Sequence, residues 1–341
     1  MRASGKPSVP DTGELPFRPS PLTRNAHLQS IMTSLRFRVL PYRRTLSESA
    51  EHVVDCGDDV RLLGYWTRHR ESKSRGLFLL IHGWEGSTAS AYIRHTGGYL
   101  YRQGFDVFRL NLRDHGPSHH LNRGLFHGAR TAEVVAAASR VNALAEGKPF
   151  FVMGFSLGGN FALRIARDGE EKAFPTLKKI FAVSPVLDPL KTTVAIDVGF
   201  PFYRKYFMGK WKRSLKTKQH LYPDLYSFDG VFSMKTLMEM TDFFVARYSP
   251  FRDHRDYFSR YTLLGGALER LSFPAVILTS KDDPIIPVSD FLGLRNGDGN
   301  LILSIQDFGG HCGFIDPFPF GCWYEPWVVR KALRIIGERT P

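Results

Sequence analysis

The apolar run Phe150-Phe-Val-Met153 leads straight into Gly154-Phe155-Ser156-Leu157-Gly158, and an amphipathic stretch over 159–167 follows at once. A strand that must turn within a few residues into a helix restricts the fold sharply, because the strand has to be buried and the helix has to pack back across it. Five further apolar runs, at 77–81, 105–110, 179–183, 275–279 and 301–305, alternate with helical patterns such as 131–145, whose stop signals are Gly147 and Pro149. This rhythm predicts an α/β fold with a mainly parallel sheet flanked by helices on both faces.

The interval 189–274 breaks the alternation. Aromatic and basic residues dominate it and strands are hard to find, so it reads as a helical cap inserted over the carboxyl edge of the sheet, where ligands bind in open α/β sheets. Residues 1–50, Pro-rich and basic, read as an extension wrapping the main domain of 51–341.

Gly-x-Ser-x-Gly between a strand and a helix holds its serine in a sharp turn at the top of the sheet, which makes Ser156 the candidate nucleophile. A serine hydroxyl is weak at neutral pH and needs a base, and the partners of such a turn follow in the order Ser, Asp, His. Asp283 and Asp282 both stand directly after the run 275–279. Asp283 is preferred as the orienting acid because it precedes the Pro284–Pro287 turn, and Asp282 is the alternative. Gly309-Gly-His311-Cys-Gly-Phe314 follows the last run and offers His311 as the base on a glycine-rich loop. His82-Gly-Trp84-Glu-Gly86 closes the run 77–81, and the amides of Trp84 and Leu157 are the expected oxyanion donors. Trp84 and Phe155 are expected to wall the substrate pocket, with plain core packing as the competing role.

With Pro21-Leu-Thr-Arg-Asn-Ala-His-Leu-Gln29 upstream and Asn111-Leu-Arg-Asp-His-Gly116 between them, these landmarks resemble the YheT-like hydrolases, bacterial relatives of the eukaryotic abhydrolase-domain lipases. The resemblance implies the α/β-hydrolase fold, a Ser-Asp-His hydrolase carried by Ser156, Asp283 and His311, and carboxylic ester substrates of medium-chain or lipid type. Asp114 stands where that family often has glycine, a local departure outside the triad.

Forty-six basic against 33 acidic residues give a net charge of +13, which suggests an anionic partner. Seven basic residues from Arg204 to Lys218, free of acids and interleaved with aromatics, make peripheral contact with an anionic membrane one expectation and a solvated helix face the other. No nucleic-acid motif accompanies the charge, and no protein partner is implied. His115, His119, His120 and His127 lack the carboxylates or cysteines of a ligand set, so neither metal nor cofactor is expected. Cys56, Cys312 and Cys322 have no CxxC spacing and read as structural. With no apolar leader in the first 20 residues and no run of about 18 apolar residues, a cytoplasmic protein is expected, peripheral at most at the inner membrane surface. An acyltransferase using the same acyl-serine, or a ligand-binding relative without catalysis, remain the rival functions.

Overall fold

Leu77, Leu79 and Ile81 face one layer of the core while Phe78 and Leu80 face the other, the two-residue period of a strand buried on both sides. The computed structural model describes residues 16–69, 73–316 and 321–338. Helices α1 (Ala26–Met32) and α2 (Arg43–Ser47) precede β1 (Ala50–Asp55) and β2 (Arg61–Thr67). The alternation then runs β3 (Leu77–Ile81), α3 (Ala91–Arg102), β4 (Asp106–Leu110), α4 (Thr131–Ala143), β5 (Phe150–Phe155), α5 (Leu157–Asp168) and β6 (Leu177–Val183). Four helices, α6 (Pro189–Val198), α7 (Pro201–Leu221), α8 (Leu237–Tyr248) and α9 (His254–Ser259), separate β6 from β7 (Ala275–Ser280). Helix α10 (Ser289–Leu292), β8 (Leu301–Gln306) and α11 (Tyr324–Ile335) complete the chain.

The sheet has the order β1-β2-β4-β3-β5-β6-β7-β8. From β4 to β8 every neighbouring pair is parallel, as the alternation predicts. Strands β1 and β2 come in addition to the six apolar runs; they pair antiparallel with each other, and β2 pairs antiparallel with β4. Beneath one face, Val134 and Ala137 of α4 and Phe161 and Ile165 of α5 meet Leu79 and Val152. Across the other, Ile93 and Leu100 of α3 and Trp327 and Val328 of α11 meet Phe78 and Phe151. Burying a side chain of this size contributes about 1.5–3 kcal/mol, so the two layers together dominate the stabilisation of the sheet.

Residues ahead of β1 make specific contacts with the C-terminal part of the chain. Phe17 packs edge-on against Phe314 at 5.8 Å, and Arg38 Nη2 donates to Cys322 Sγ at 2.8 Å in the interior. The first 15 residues of the extension lie outside the described residues. Among the helices between β6 and β7, Asp197 of α6 caps α8 by accepting from the amides of Leu237 and Met238 at 2.8 and 3.0 Å. Helix α7 is tied to the loop after β4 by Lys218, whose ammonium is buried against Asp114 Oδ1 at 2.8 Å. No described helix is long and apolar enough to cross a membrane.

Candidate active site

Each motif stands just beyond the carboxyl end of a strand: His82 after β3, Ser156 after β5, Asp283 after β7 and His311 after β8. Ser156 itself has φ +53° and ψ −118°, a strained conformation that a non-glycine residue keeps only when its surroundings hold it. They do so here: its amide donates to the Val183 carbonyl at 2.9 Å, and its carbonyl accepts from Asn160 at 3.0 Å. The flanking glycines are steric necessities. A Cβ on Gly154 would overlap the Gly158 carbonyl, and one on Gly158 would overlap the carbonyls of Ile81 and His82.

Asp283 Oδ2 lies 2.9 Å from His311 Nδ1, and its Oδ1 accepts from the amides of Ile285 and Ile286 at 2.8 and 2.9 Å. The carboxylate is therefore oriented from both sides, and its side chain is fully buried. Burial alone would lower the His311 pKa, but the charge and hydrogen bond of Asp283, with Cys312 adding to them, hold it well above 6.5. Asp282 has a different partner: its Oδ1 accepts from the Gly310 amide at 2.9 Å and so holds the backbone of the histidine loop.

Four consecutive residues form the turn after β3, and three of their amides are satisfied within the protein. Gly83 donates to Tyr92 Oη at 2.9 Å, Glu85 to His115 Nε2 at 3.1 Å and Gly86 to the Gly83 carbonyl at 2.9 Å. Trp84 N finds no acceptor among the described residues, and neither does Leu157 N at the start of α5. Two free donors next to Ser156, one at a positive helix end, are the arrangement an anion would meet.

Two buried imidazoles support that turn. His82 Nδ1 donates to the Gly83 carbonyl at 2.7 Å while its Nε2 accepts from Leu112 at 3.1 Å, and burial lowers its pKa to about 4. His115 Nδ1 likewise donates to the Arg113 carbonyl at 2.6 Å, its Nε2 is taken by Glu85 N, and burial drives its pKa well below 6.5. Both rings are neutral, and each uses one nitrogen as donor and the other as acceptor.

Ser156 opens onto two cavities. A narrow one of about 90 Å³ is lined by Trp84, Leu157, Ile196, Trp211 and Phe244 among others. A wider one of about 470 Å³ contains His311 and is bordered by Ser30, Arg36, Tyr203 and Lys210. Trp84 borders both. Phe155 touches the wider cavity yet is 1% exposed, its ring packed between Tyr92 and Tyr324.

Several residues of the site carry no motif of their own. Gln29, fully buried, accepts from Ile315 N at 2.7 Å and donates to the carbonyls of Ile315 and Thr23, and Ser30 Oγ accepts from His311 N at 2.8 Å. Gln29 ends the segment Pro21–Gln29 noted in the sequence, and both side chains bond backbone atoms of the chain around His311. Tyr92 gave no signal.

The histidines of the loop after β4 do not converge on a metal position: His119 Nε2 meets Ser214 Oγ at 2.8 Å, and His115 is used as above. Among the described residues one cluster has ligand-like proximity, His95, Cys322 and Glu325. Its atoms are already engaged with one another, His95 Nδ1 on Glu325 Oε1 at 2.8 Å, and the Arg38 cation sits on the sulfur, so the set does not suit a second cation. All three cysteines are free.

The family model for the alpha/beta hydrolase fold matches residues 76–291. The chain is similar to YheT of Escherichia coli K12, 23% identical over 300 residues that cover 85% of this chain and 84% of that protein. It is also similar to the phospholipase ABHD3 of Homo sapiens, 20% identical over 274 residues, 80% of this chain and 67% of that protein. Among solved structures, the esterase Pf2001 of Pyrococcus furiosus superposes with a TM-score of 0.55 at 18% identity, covering 85% of this chain and 94% of that one. With a mainly parallel eight-stranded sheet and a family match across most of it, the chain belongs to the α/β-hydrolase fold family.

Proposed function

We propose that the protein is a serine hydrolase of carboxylic esters. Ser156 attacks the ester carbonyl, His311 takes its proton and passes it to the leaving alcohol, and Asp283 orients the ring and balances its charge. The oxyanion rests on the amides of Trp84 and Leu157; water activated by His311 then releases the acid from Ser156. The observation that carries this reading is the single unsatisfied amide of the turn, Trp84 N, beside a strained serine and a carboxylate-bound histidine. Asp283 is preferred over Asp282 because only Asp283 bonds the imidazole.

The narrow apolar cavity suits the acyl chain, and the wider one, which holds His311, suits the alcohol and the incoming water. The esterase name of one relative supports ester substrates, and the phospholipase name of the other supports the lipid type. Hydrolysis of p-nitrophenyl esters from two to sixteen carbons tests this reading: the wild type should show a chain-length optimum, and Ser156→Ala should lose about 10⁶-fold in kcat. Comparable rates in the two proteins would place the chemistry elsewhere.

Peripheral membrane contact is the accompanying proposal, with a narrower basis than the charge run of α7. Lys210, Lys212 and Lys218 turn toward protein carbonyls or Asp114 and do not face a bilayer. The outward candidates are the exposed Val198, Phe200, Phe202 and Tyr206, of which Phe202 and Tyr206 border the wider cavity, with Lys205 adjacent in the chain and Arg36 at the cavity rim. A Phe200→Ser, Phe202→Ser, Lys205→Glu variant should lose cosedimentation with phosphatidylserine-containing vesicles. Undiminished binding would rule the contact out.

A further inference from the structure

Helix α7 of the cap lies directly on the turn that carries the free amide. Phe207, Lys210 and Trp211 are spaced i, i+3 and i+4, so they share one face of the helix. The Trp84 indole stacks on Phe207 at 5.5 Å with an interplanar angle of 11°, and meets Trp211 edge-on at 5.2 Å. Between these two contacts, Lys210 Nζ donates to the Glu85 carbonyl at 2.7 Å. No carboxylate pairs with Lys210 among the described residues, and the cavity it borders is lined by no acid.

Glu85 is where this matters. It adopts φ +55°, a left-handed conformation that costs a non-glycine residue free energy and persists only when held. Both of its backbone ends are held: the amide by His115 from the core, the carbonyl by Lys210 from the cap. Release of either end lets the turn relax, and the neighbouring Trp84 amide moves with it. Oxyanion donors act only within a few tenths of an ångström of their place, and a shift of about 1 Å costs roughly 10²-fold in rate.

We infer that Lys210 is a positioning residue for the reaction, which locks the Trp84–Glu85 turn through the Glu85 carbonyl so that the oxyanion site is complete only while α7 is seated. The inference rests on the esterase reading above. It makes the cap part of the catalytic assembly: a displacement of α7 that widens the entrance also dismantles the oxyanion site, and hydrolysis waits for the helix to return.

The test compares wild type, Lys210→Met and Lys210→Arg in the full chain. A trifluoromethyl ketone, which adds to the serine and develops an oxyanion, is set against the matching secondary alcohol, which binds without doing so. Lys210→Met should lower kcat by about 10- to 100-fold with KM within about twofold, in line with the positional sensitivity above. Its affinity for the ketone should fall in the same proportion as kcat/KM, its affinity for the alcohol should stay, and Lys210→Arg should recover part of the loss. Should Lys210→Met fail to fold, Phe207→Leu and Lys210→Arg are read on the same two inhibitors, the first expected to lose ketone affinity selectively. Unchanged kcat in a folded Lys210→Met, or equal weakening of ketone and alcohol, overturns the inference. A wild type that hydrolyses no ester at all sinks the esterase reading instead, so the two failures are distinct.

Discussion

His311 Nδ1 lies 2.9 Å from Asp283 Oδ2, and in the proposed reaction this contact decides when the imidazole is free to act as a base. The charge of Asp283 raises the pKa of His311 well above 6.5, overcoming the opposite effect of burial. Below that pKa the ring is protonated and cannot accept the serine proton, so kcat/KM should rise with pH through it. Asp283→Asn removes the charge, which should move this acid limb to lower pH and cut kcat by about 10⁴-fold. A pH–rate profile of both proteins checks it. An unshifted limb in Asp283→Asn would mean that another group holds the ring.

Gln29→Ala tests the clamp between the extension and the histidine loop. Removing the side chain strands buried groups of Ile315 and Thr23, and one such group costs about 1–3 kcal/mol. Urea unfolding should show a loss of about 2–4 kcal/mol, and residual activity should fall as the His311 backbone loses its support. Wild-type stability in this variant would mean that the extension is not integral to the site.

Lys218→Met leaves Asp114 as a buried charge without its counterion, for which about 3–5 kcal/mol of destabilisation is expected. Denaturant midpoints measure it. A change below about 1 kcal/mol would show that the pair is hydrated in solution, as exposed pairs are.

Most of the sheet is legible in the sequence because strands β3, β5 and β7 are buried along their whole length, which forces near-continuous apolar runs, and β4, equally buried, departs from one at Asp106 and Arg109. Strand β1 left no such trace. With Glu51 and Asp55 exposed and only Val54 fully buried, it lies at the edge of the sheet with one side in water. Gly154 and Gly158 are readable because backbone crowding admits nothing else, and the sharp turn at Ser156 is readable from them. The duties of Gln29 and Lys210 could not be read, since their partners are backbone atoms 286 and 125 residues away. A hydrogen bond to a backbone amide or carbonyl imposes no residue type on the residue that carries it, so neither contact leaves a pairwise mark in the chain.

Glu85 gives a pH-dependent prediction of stability. Burial raises its carboxyl from 4.5 to about 8, with Asp114 reinforcing the shift and Lys210 and Arg213 of α7 opposing it; His115, neutral, faces it from the core. Because the folded pKa exceeds the unfolded one, the protonated form favours folding, and that contribution is lost as pH climbs from about 4.5 through about 8. Glu85→Gln stays neutral throughout. It should melt above wild type at pH 8, and the gap should close near pH 4; a gap independent of pH would show that the carboxyl is not buried.

The most direct measurement is intact-mass spectrometry after exposure to a fluorophosphonate, on wild type and Ser156→Ala side by side. A single adduct is expected on the wild type, mapped to the peptide containing Ser156, and none on a folded Ser156→Ala. Labelling that persists in the variant, or a folded wild type that takes up no probe, would contradict Ser156 as the nucleophile.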